Sequence, residues 1–243
     1  IDLLYIDPSR RNKENKKVHF LSDCIPLINY DLIESLQNFK TILIKCSPII
    51  DLKKTINDLR VVSEIYIVGI NNEVKEVLFS LNKKCNNNIK IKCIELTNRE
   101  LDFDFCIDEI DNKQNNDNSE VLKYLYEPNS MILKSGAFSL ICDRYDVKKL
   151  NTNSHLYTSK KLIDFPGRVF EVNSVVNYSK RNLKDLNIYK ANITTRNFPI
   201  DVKDIRKKSK ILDGGEDYLF FTKNHLDEQI IIKTKKPTKK SEV

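Results

Sequence analysis

Asp2-Leu-Leu-Tyr-Ile-Asp-Pro-Ser-Arg-Arg11 is the segment from which the fold class of this sequence is most clearly predicted. Its apolar run stops abruptly at Asp7-Pro8, which is typical of a buried strand in a parallel sheet. A second apolar run, Thr41–Cys46, stops in the same way at Ser47-Pro48. Parallel strands bring their carboxyl ends to one edge of a sheet, where such sheets bind their ligands. The two corners are therefore predicted to lie side by side.

Alternating strand and helix patterns continue to about residue 110. Further strands are predicted over Glu64–Ile70 and Ile89–Leu96, the latter as an edge strand. Helices are predicted over 31–39, Asp51–Asp58 and Glu73–Leu81, the last because its apolar residues recur at helical spacing. This β-α-β-α-β-α-β order indicates a layered α/β sheet.

The second half has the pattern of a small α+β unit. It follows a polar stretch, 111–120, that is predicted to be a linker. The elements predicted there are a strand at 121–126, a helix at 130–145, irregular chain at 150–167, a strand at 169–176, a helix at 179–186, a strand at 190–196, a helix at 202–209 begun by Asp201, a turn at 213–215 and a hairpin pairing 218–222 with 229–233.

Charge is distributed unevenly along the chain. The net charge is +7, but residues 1–119 carry 17 Lys and Arg against 19 Asp and Glu, and residues 120–243 carry 24 against 15. Phosphate-rich partners are the usual reason for such asymmetry, although a lysine-biased soluble surface explains it equally well. No apolar run approaches the roughly 18 residues that would span a membrane. The six cysteines form no CxxC pair, which favours buried thiols in a reducing cytosol and no metal site.

Several stretches carry a family resemblance, and they occur in one order along nearly the whole chain. They are Tyr5–Arg11, Phe20–Pro26, Ile44–Asp51, Asn71–Glu76, Tyr124–Asn129, Leu133–Phe138, Asn153–Ser159, Phe165–Arg168, Ala191–Pro199 and Asp213–Gly215. On these residues the sequence resembles a bacterial family, common in Bacteroidetes, of class I methyltransferases with a C-terminal THUMP-like domain.

The resemblance implies an α/β fold, in which the C-terminal half of a Rossmann-like class I methyltransferase sheet precedes a small α+β THUMP-like domain. The expected parts are a half-methyltransferase domain (1–110), a linker (111–120), a ferredoxin-like segment (121–166), a THUMP-like domain (167–235) and a basic tail (236–243). The implied cofactor is S-adenosyl-L-methionine (SAM). The implied substrate is RNA, such as tRNA or rRNA, in the cytoplasm.

The resemblance also implies functional residues. Asp7 and Pro8 match the acidic-proline corner that such enzymes place beside the substrate and the methyl group of SAM, and Arg10 follows in the same corner. Methyl transfer chiefly needs in-line positioning, which a proline-stiffened corner supplies. The residues expected to contact RNA are Arg11, Lys45, Arg196, Asn197, Arg206, Lys207 and Lys208. Asp51 is expected either to line the cleft or to cap the next helix.

One departure from the family pattern limits these expectations. None of the five glycines forms the G-x-G motif that would cradle the cofactor, so we expect a C-terminal fragment that binds SAM poorly by itself. Arg10 stands where amino-group methyltransferases have an aromatic residue, which leaves the target atom open. Two alternatives stay open: a non-catalytic RNA-binding module, and a methyltransferase that acts on a small molecule.

Overall fold

The computed structural model describes residues 2–9, 21, 24, 27–36, 38–82, 88–97, 102–111 and 118–238. The chain divides into two compact units. The first comprises residues 1–113 with Asn129–Ala137, and the second comprises residues 114–128 with 138–243. Each unit is built on its own mixed β-sheet.

The sheet of the first unit has six strands in the order β1-β2-β4-β3-β5-β6. Its strands are β1 (Leu3–Ile6), β2 (Thr41–Cys46), β3 (Val62–Ile70), β4 (Glu73–Leu81), β5 (Lys90–Glu95) and β6 (Phe103–Cys106). β1 is parallel to β2 and β3 is parallel to β5, whereas β4 is antiparallel to both of its neighbours. β6 is antiparallel to β5. The predicted parallel pairing of the two apolar runs is therefore confirmed.

The segment Glu73–Leu81 is a strand, so the helix predicted there is wrong. It follows β3 through a two-residue turn in which Asn71 and Asn72 have φ of 52° and 61°. Positive φ at both central residues is the geometry of tight β-hairpins, and asparagine tolerates it better than most residues. The prediction of β5 as an edge strand is also wrong, because β6 pairs along its outer side.

Four helices occur among the described residues of the first unit, and one of them covers the centre of its sheet. They are α1 (Tyr30–Ser35), α2 (Leu52–Leu59), α3 (Asp108–Asp111) and α4 (Ser130–Ser135). α4 packs on β3, β4 and β5, with Met131 fully buried. A Cβ atom at Gly69 of β3 would lie 2.1 Å from Sδ of Met131, so only glycine lets this helix approach the strand so closely.

The sheet of the second unit has seven strands in the order β11-β12-β13-β10-β7-β9-β8. They are β7 (Tyr124–Pro128), β8 (Lys148–Lys149), β9 (Tyr157–Ser159), β10 (Gly167–Asn177), β11 (Lys190–Thr195), β12 (Leu212–Lys223) and β13 (Gln229–Lys235). Of these seven described strands, β11 and β12 pair in parallel and the other neighbours pair antiparallel. Successive residues of β12 enter different apolar clusters, Phe220 in one and Phe221 in the other, because alternate side chains leave opposite faces of a strand.

The helices of the second unit are α5 (Phe138–Tyr145), α6 (Lys180–Asp185) and α7 (Val202–Ser209). α7 agrees with its prediction, and Asp201 caps it by accepting the N–H of Asp204 at 2.8 Å. The single helix predicted at 130–145 is wrong, because Gly136 ends α4 with φ 78°. The predicted turn at 213–215 instead lies within β12, where the pairing with β11 changes register.

The predicted α/β class is confirmed, since both units combine a mixed sheet with few helices. The irregular region predicted at 150–167 contains one short strand, β9. Within the described ranges, no helix is long and apolar enough to cross a membrane. Most of the predicted linker lies outside the described residues.

Candidate functional site

The acidic-proline corner lies at the carboxyl end of β1. Ile6 of β1 is in register with Ile44 of β2, so the next residues along the two parallel strands, Asp7 and Lys45, are neighbours. Lys45 Nζ lies 2.5 Å from Asp7 Oδ2. The Asp7 side chain is 42% exposed while Pro8 is buried, so a buried ring anchors a carboxylate that stays open to solvent.

The ion pair favours the charged form of Lys45. The hydrogen bond to Asp7 raises the pKa of Lys45 above its ordinary value. Partial burial opposes this shift, and the negative charges of Asp7 and Glu76 add to it. Lys45 therefore stays cationic at neutral pH and holds the Asp7 carboxylate in one orientation. The structure thus brings together two residues that the sequence placed on neighbouring strand ends.

Other residues predicted near this corner are placed differently. Arg10 and Arg11 lie outside the described residues. Asp51 is the N-cap of α2 and accepts the N–H of Lys54 at 2.8 Å, which matches the capping alternative. A cavity of about 670 Å³ is lined by Leu3, Thr41 and neighbouring residues, at the amino ends of β1 and β2. It does not include the corner.

Three charged side chains of the second unit form an ion triad. Glu127 on β7 and Arg168 on β10 are directly paired across antiparallel strands, and Arg168 Nε donates to Glu127 Oε2 at 2.6 Å. Arg196, which follows β11, donates from Nε and Nη2 to Glu127 Oε1 at 3.0 and 2.7 Å. The Glu127 side chain is 2% exposed, but those of Arg168 and Arg196 are 36% and 37% exposed.

The sequence identified Arg196 of this triad but missed Glu127 and Arg168. The available signal was position: all three residues fall in stretches that carry the family resemblance, 124–129, 165–168 and 191–199. Their proximity could not be predicted, because β7 and β11 are four neighbours apart in the sheet. Four strand spacings of about 4.8 Å would separate them by roughly 19 Å in a flat sheet. Arg196 reaches Glu127 from the segment that follows β11.

Asn197 and His155 extend the polar surroundings of Arg196. Asn197, with φ 51°, donates from Nδ2 to Asn151 Oδ1 at 3.0 Å. The ring of His155 stacks on Phe138 at 3.7 Å, and its Nδ1 is buried without a hydrogen-bond partner among the described residues. Burial, with the charges of Lys149 and Arg196, lowers the pKa of His155 to about 4. His155 is therefore neutral at physiological pH.

The remaining predicted RNA-contacting residues lie on α7 and have different surroundings. Arg206 donates to the carbonyl oxygens of Ile211 and Ala191 and pairs with Asp213, so it holds the end of the helix against the sheet. Lys207 and Lys208 are exposed. Lys208 borders a cleft of about 540 Å³ that also has Lys180, Lys184 and the 77% exposed Tyr189 in its lining.

No disulfide joins two of the described cysteines. Cys46, Cys93 and Cys142 are buried, and burial raises the pKa of Cys93 to about 12 and that of Cys142 to about 11. The thiols of Cys93 and Cys142 are therefore protonated and unreactive at neutral pH. No group of three or more potential metal ligands occurs among the described residues.

Comparison with known proteins relates both parts of the chain to others. Residues 124–166 match a family model for a ferredoxin-like domain, and residues 167–236 match one for a THUMP domain-like region. The ferredoxin-like and THUMP-like segments implied by the resemblance are therefore confirmed. The strands of both matched regions belong to one sheet, that of the second unit. No curated protein matches the chain at a significant level.

One solved structure is similar along almost the entire chain. It is the crystal structure of a "putative methyltransferase" from Porphyromonas gingivalis W83, with a TM-score of 0.87 and 32% sequence identity. The similarity covers 98% of this chain and 60% of that protein, so the chain spans about 60% of its relative's length. The chain is thus similar to that protein in fold and sequence, and to THUMP-like domains in its C-terminal part.

Proposed function

We propose that the protein is a SAM-dependent methyltransferase that acts on an RNA base. The observation that carries this proposal is the corner at the end of β1, where Asp7 and Pro8 follow a parallel strand and Lys45 fixes the half-exposed carboxylate. The similarity to the Porphyromonas gingivalis protein supports the transferase part, and the THUMP-like match supports an RNA substrate.

The corner suits the positioning that methyl transfer requires. The Asp7 carboxylate can accept a hydrogen bond from the amino or imino group of a base and orient that base. Pro8 fixes the backbone before it, and Lys45 prevents the carboxylate from rotating away. A rigid contact of this kind raises the rate by placing the nucleophilic atom in line with the group to be transferred.

The described residues fit one wall of a SAM site and no more. Asp7 and Pro8 would border the cofactor on its substrate side, and SAM, when bound, supplies the methyl group in activated form. The charge of the Asp7 carboxylate is compatible with a nearby cationic sulfonium group. The glycine motif that would hold the rest of the cofactor does not occur in this sequence, so we propose that the other residues of the site lie outside it. The cytoplasmic location also stays a prediction.

A matched pair of aspartates tests the proposal. Asp2 pairs with Lys40 at 2.6 Å just before β1 and β2 begin, so it repeats the Asp7–Lys45 chemistry at the opposite end of the same strands. Transfer of labelled methyl groups from SAM to total cellular RNA is measured with the full-length protein. Asp7→Asn should lower the initial rate about 100-fold. Asp2→Asn should leave it unchanged within about twofold.

The outcomes separate the alternatives. Equal rates for the two variants would remove Asp7 from the mechanism. RNA binding without any methyl transfer by the wild type would favour the non-catalytic RNA-binding module. Transfer to small molecules but not to RNA would favour the third alternative.

A further inference from the structure

One buried carboxylate holds two arginines side by side in the second unit. Each oxygen of Glu127 receives one guanidinium group, Oε2 from Arg168 and Oε1 from Arg196. We infer that Arg168 and Arg196, oriented by Glu127, form a binding site for the phosphate groups of RNA. This inference rests on the proposed RNA substrate and names the residues that would hold its backbone.

The exposure of the three side chains supports a binding role. The carboxylate is 2% exposed, whereas each arginine keeps more than a third of its side chain open. Each guanidinium has five N–H donors and uses Nε and Nη2 on Glu127, which leaves three donors without a partner among the described residues. Burying a charge is costly, and ion pairs inside proteins are weak sources of stability. A role of Glu127 in orienting two partly exposed guanidinium groups therefore explains the arrangement better than a contribution to stability does.

A third cation adds to the site. Lys236 Nζ lies 4.6 Å from the centre of the Phe170 ring, and Arg168 Cζ lies 5.7 Å from the same centre. Burial lowers the pKa of Lys236, and the charge of Arg168 lowers it further, while Glu127 opposes the shift. Arg168, Arg196 and Lys236 together outnumber the single carboxylate by two charges. An anion bound here would relieve their mutual repulsion.

The chemistry of the open donors favours phosphate oxygens. A guanidinium presents two parallel N–H groups that match the spacing of two phosphate oxygens, and two adjacent guanidiniums can hold one phosphate from two sides. The site also spans the two matched regions, since Glu127 lies in the ferredoxin-like one and both arginines lie in the THUMP-like one. It therefore forms only when the two regions share their sheet.

Binding of RNA by the full-length protein tests the site. Dissociation constants are measured at several KCl concentrations for Arg168→Gln, Arg196→Gln and a control, Arg181→Gln. Arg181 has the same charge and lies in the same unit, but its side chain is 90% exposed on α6. Loss of either triad arginine should weaken binding about tenfold and reduce the salt slope by about one. The control should change neither. Arg168→Lys, which keeps the charge without the fork, should also weaken binding.

Glu127→Gln separates an oriented site from simple charge attraction. This variant makes the protein more positive, so attraction by net charge alone would tighten RNA binding. An oriented site predicts weaker binding, because the two guanidiniums lose the group that aligns them. Circular dichroism and thermal unfolding identify any variant that fails to fold, and Arg168→Lys provides the milder change in that case.

The RNA ends show which phosphate is bound. Removal of the 5′-phosphate from a short RNA abolishes the effect of the arginine variants if the site takes a terminal phosphate, and leaves it intact if it takes the backbone.

The inference is overturned if wild-type protein binds RNA and Arg168→Gln and Arg196→Gln bind it as the Arg181→Gln control does. If the wild type binds no RNA, the proposed RNA substrate fails instead. Inorganic phosphate then tests the site alone, since phosphate bound beside Arg196 should raise the low pKa of His155 measured by NMR.

Discussion

Glu95 is the residue whose replacement should most clearly test the reasoning about the first unit. It ends β5, is 1% exposed, and accepts hydrogen bonds from the turn between β3 and β4. Its Oε1 accepts the N–H of Asn71 at 3.1 Å and both the N–H and the hydroxyl of Thr97. Its Oε2 accepts the N–H of Asn72 at 2.8 Å. One side chain thus satisfies the backbone of a turn with two positive φ values.

Glu95→Gln should lower the free energy of unfolding by about 2 kcal/mol. The amide oxygen can replace Oε1 and keep its donors, but the NH₂ group must then replace Oε2 and face the N–H of Asn72. A donor opposite a donor loses one charge-assisted hydrogen bond and leaves the Asn72 N–H without its acceptor, which costs about 1.5–3 kcal/mol. For a protein of this size the expected decrease in Tm is roughly 4–8 °C.

Urea unfolding at pH 7 measures the effect, with Glu73→Gln as the matched control. Glu73 lies in the same hairpin, but its side chain is 71% exposed and forms an ion pair with Lys75. Its replacement should change stability by less than about 0.5 kcal/mol. If Glu95→Gln unfolds at the same urea concentration as the control, the buried carboxylate does not stabilise the turn and the reasoning is wrong.

The pH dependence provides a second check on Glu95. Burial alone would raise the pKa of its carboxyl group, but the hydrogen bonds from Thr97, Asn72 and Asn71 outweigh burial and lower it. A lowered carboxyl pKa stabilises the fold above the unfolded pKa of about 4.3, and this contribution is lost as pH falls through the folded value. The stability difference between wild type and Glu95→Gln should therefore be largest at neutral pH and shrink below about pH 4.

Three further predictions concern other contacts. Gly69→Ala should lower the free energy of unfolding by about 1–3 kcal/mol, because the new methyl group clashes with Met131. When Met131 is already alanine, adding Gly69→Ala should have much less effect, as unfolding of the Met131→Ala single and the Gly69→Ala/Met131→Ala double variants would show. Asn72→Gly should lower the free energy of unfolding in urea by about 1 kcal/mol, because Asn72 Oδ1 accepts the N–H of Ser130 at 2.8 Å. The control Asn71→Gly should change it by less than about 0.5 kcal/mol, and equal effects of the two variants would contradict a stabilising role of the Asn72 hydrogen bond. NMR should show that His155 stays neutral down to about pH 4 in the folded protein. In the unfolded chain the same group takes up a proton at about pH 6.5, so the free energy of unfolding should fall as the pH decreases from about 6.5 to about 4. This fall should be smaller in His155→Phe.

Local patterns in the sequence predicted the elements whose signals do not depend on distant residues. β2 and α7 have the predicted limits, because an apolar run stopped by Ser-Pro and a capping aspartate before a helical pattern are complete signals by themselves. The same holds for the parallel pairing of β1 with β2, which brought Asp7 to Lys45.

The sequence was ambiguous where a helical and a strand periodicity of apolar residues fit the same segment. Val74, Val77, Leu78 and Leu81 fit a helix, while Val77, Phe79 and Leu81 fit a strand. The strand forms because Asn71 and Asn72 turn the chain back and Glu95, on another strand, holds that turn. The Asn71-Asn72 pair between two apolar segments is the local signal from which the hairpin could have been predicted.

Local sequence patterns were enough to predict the α/β class, the corner at the end of β1 and the basic character of the second half. They could not predict the Glu127 triad, because Arg196 is 69 positions from Glu127 along the chain and β11 is four neighbours from β7 in the sheet. A one-dimensional pattern contains no information on which distant side chains tertiary packing brings within hydrogen-bond reach. The sharing of one buried carboxylate by two arginines is therefore visible only in the folded protein.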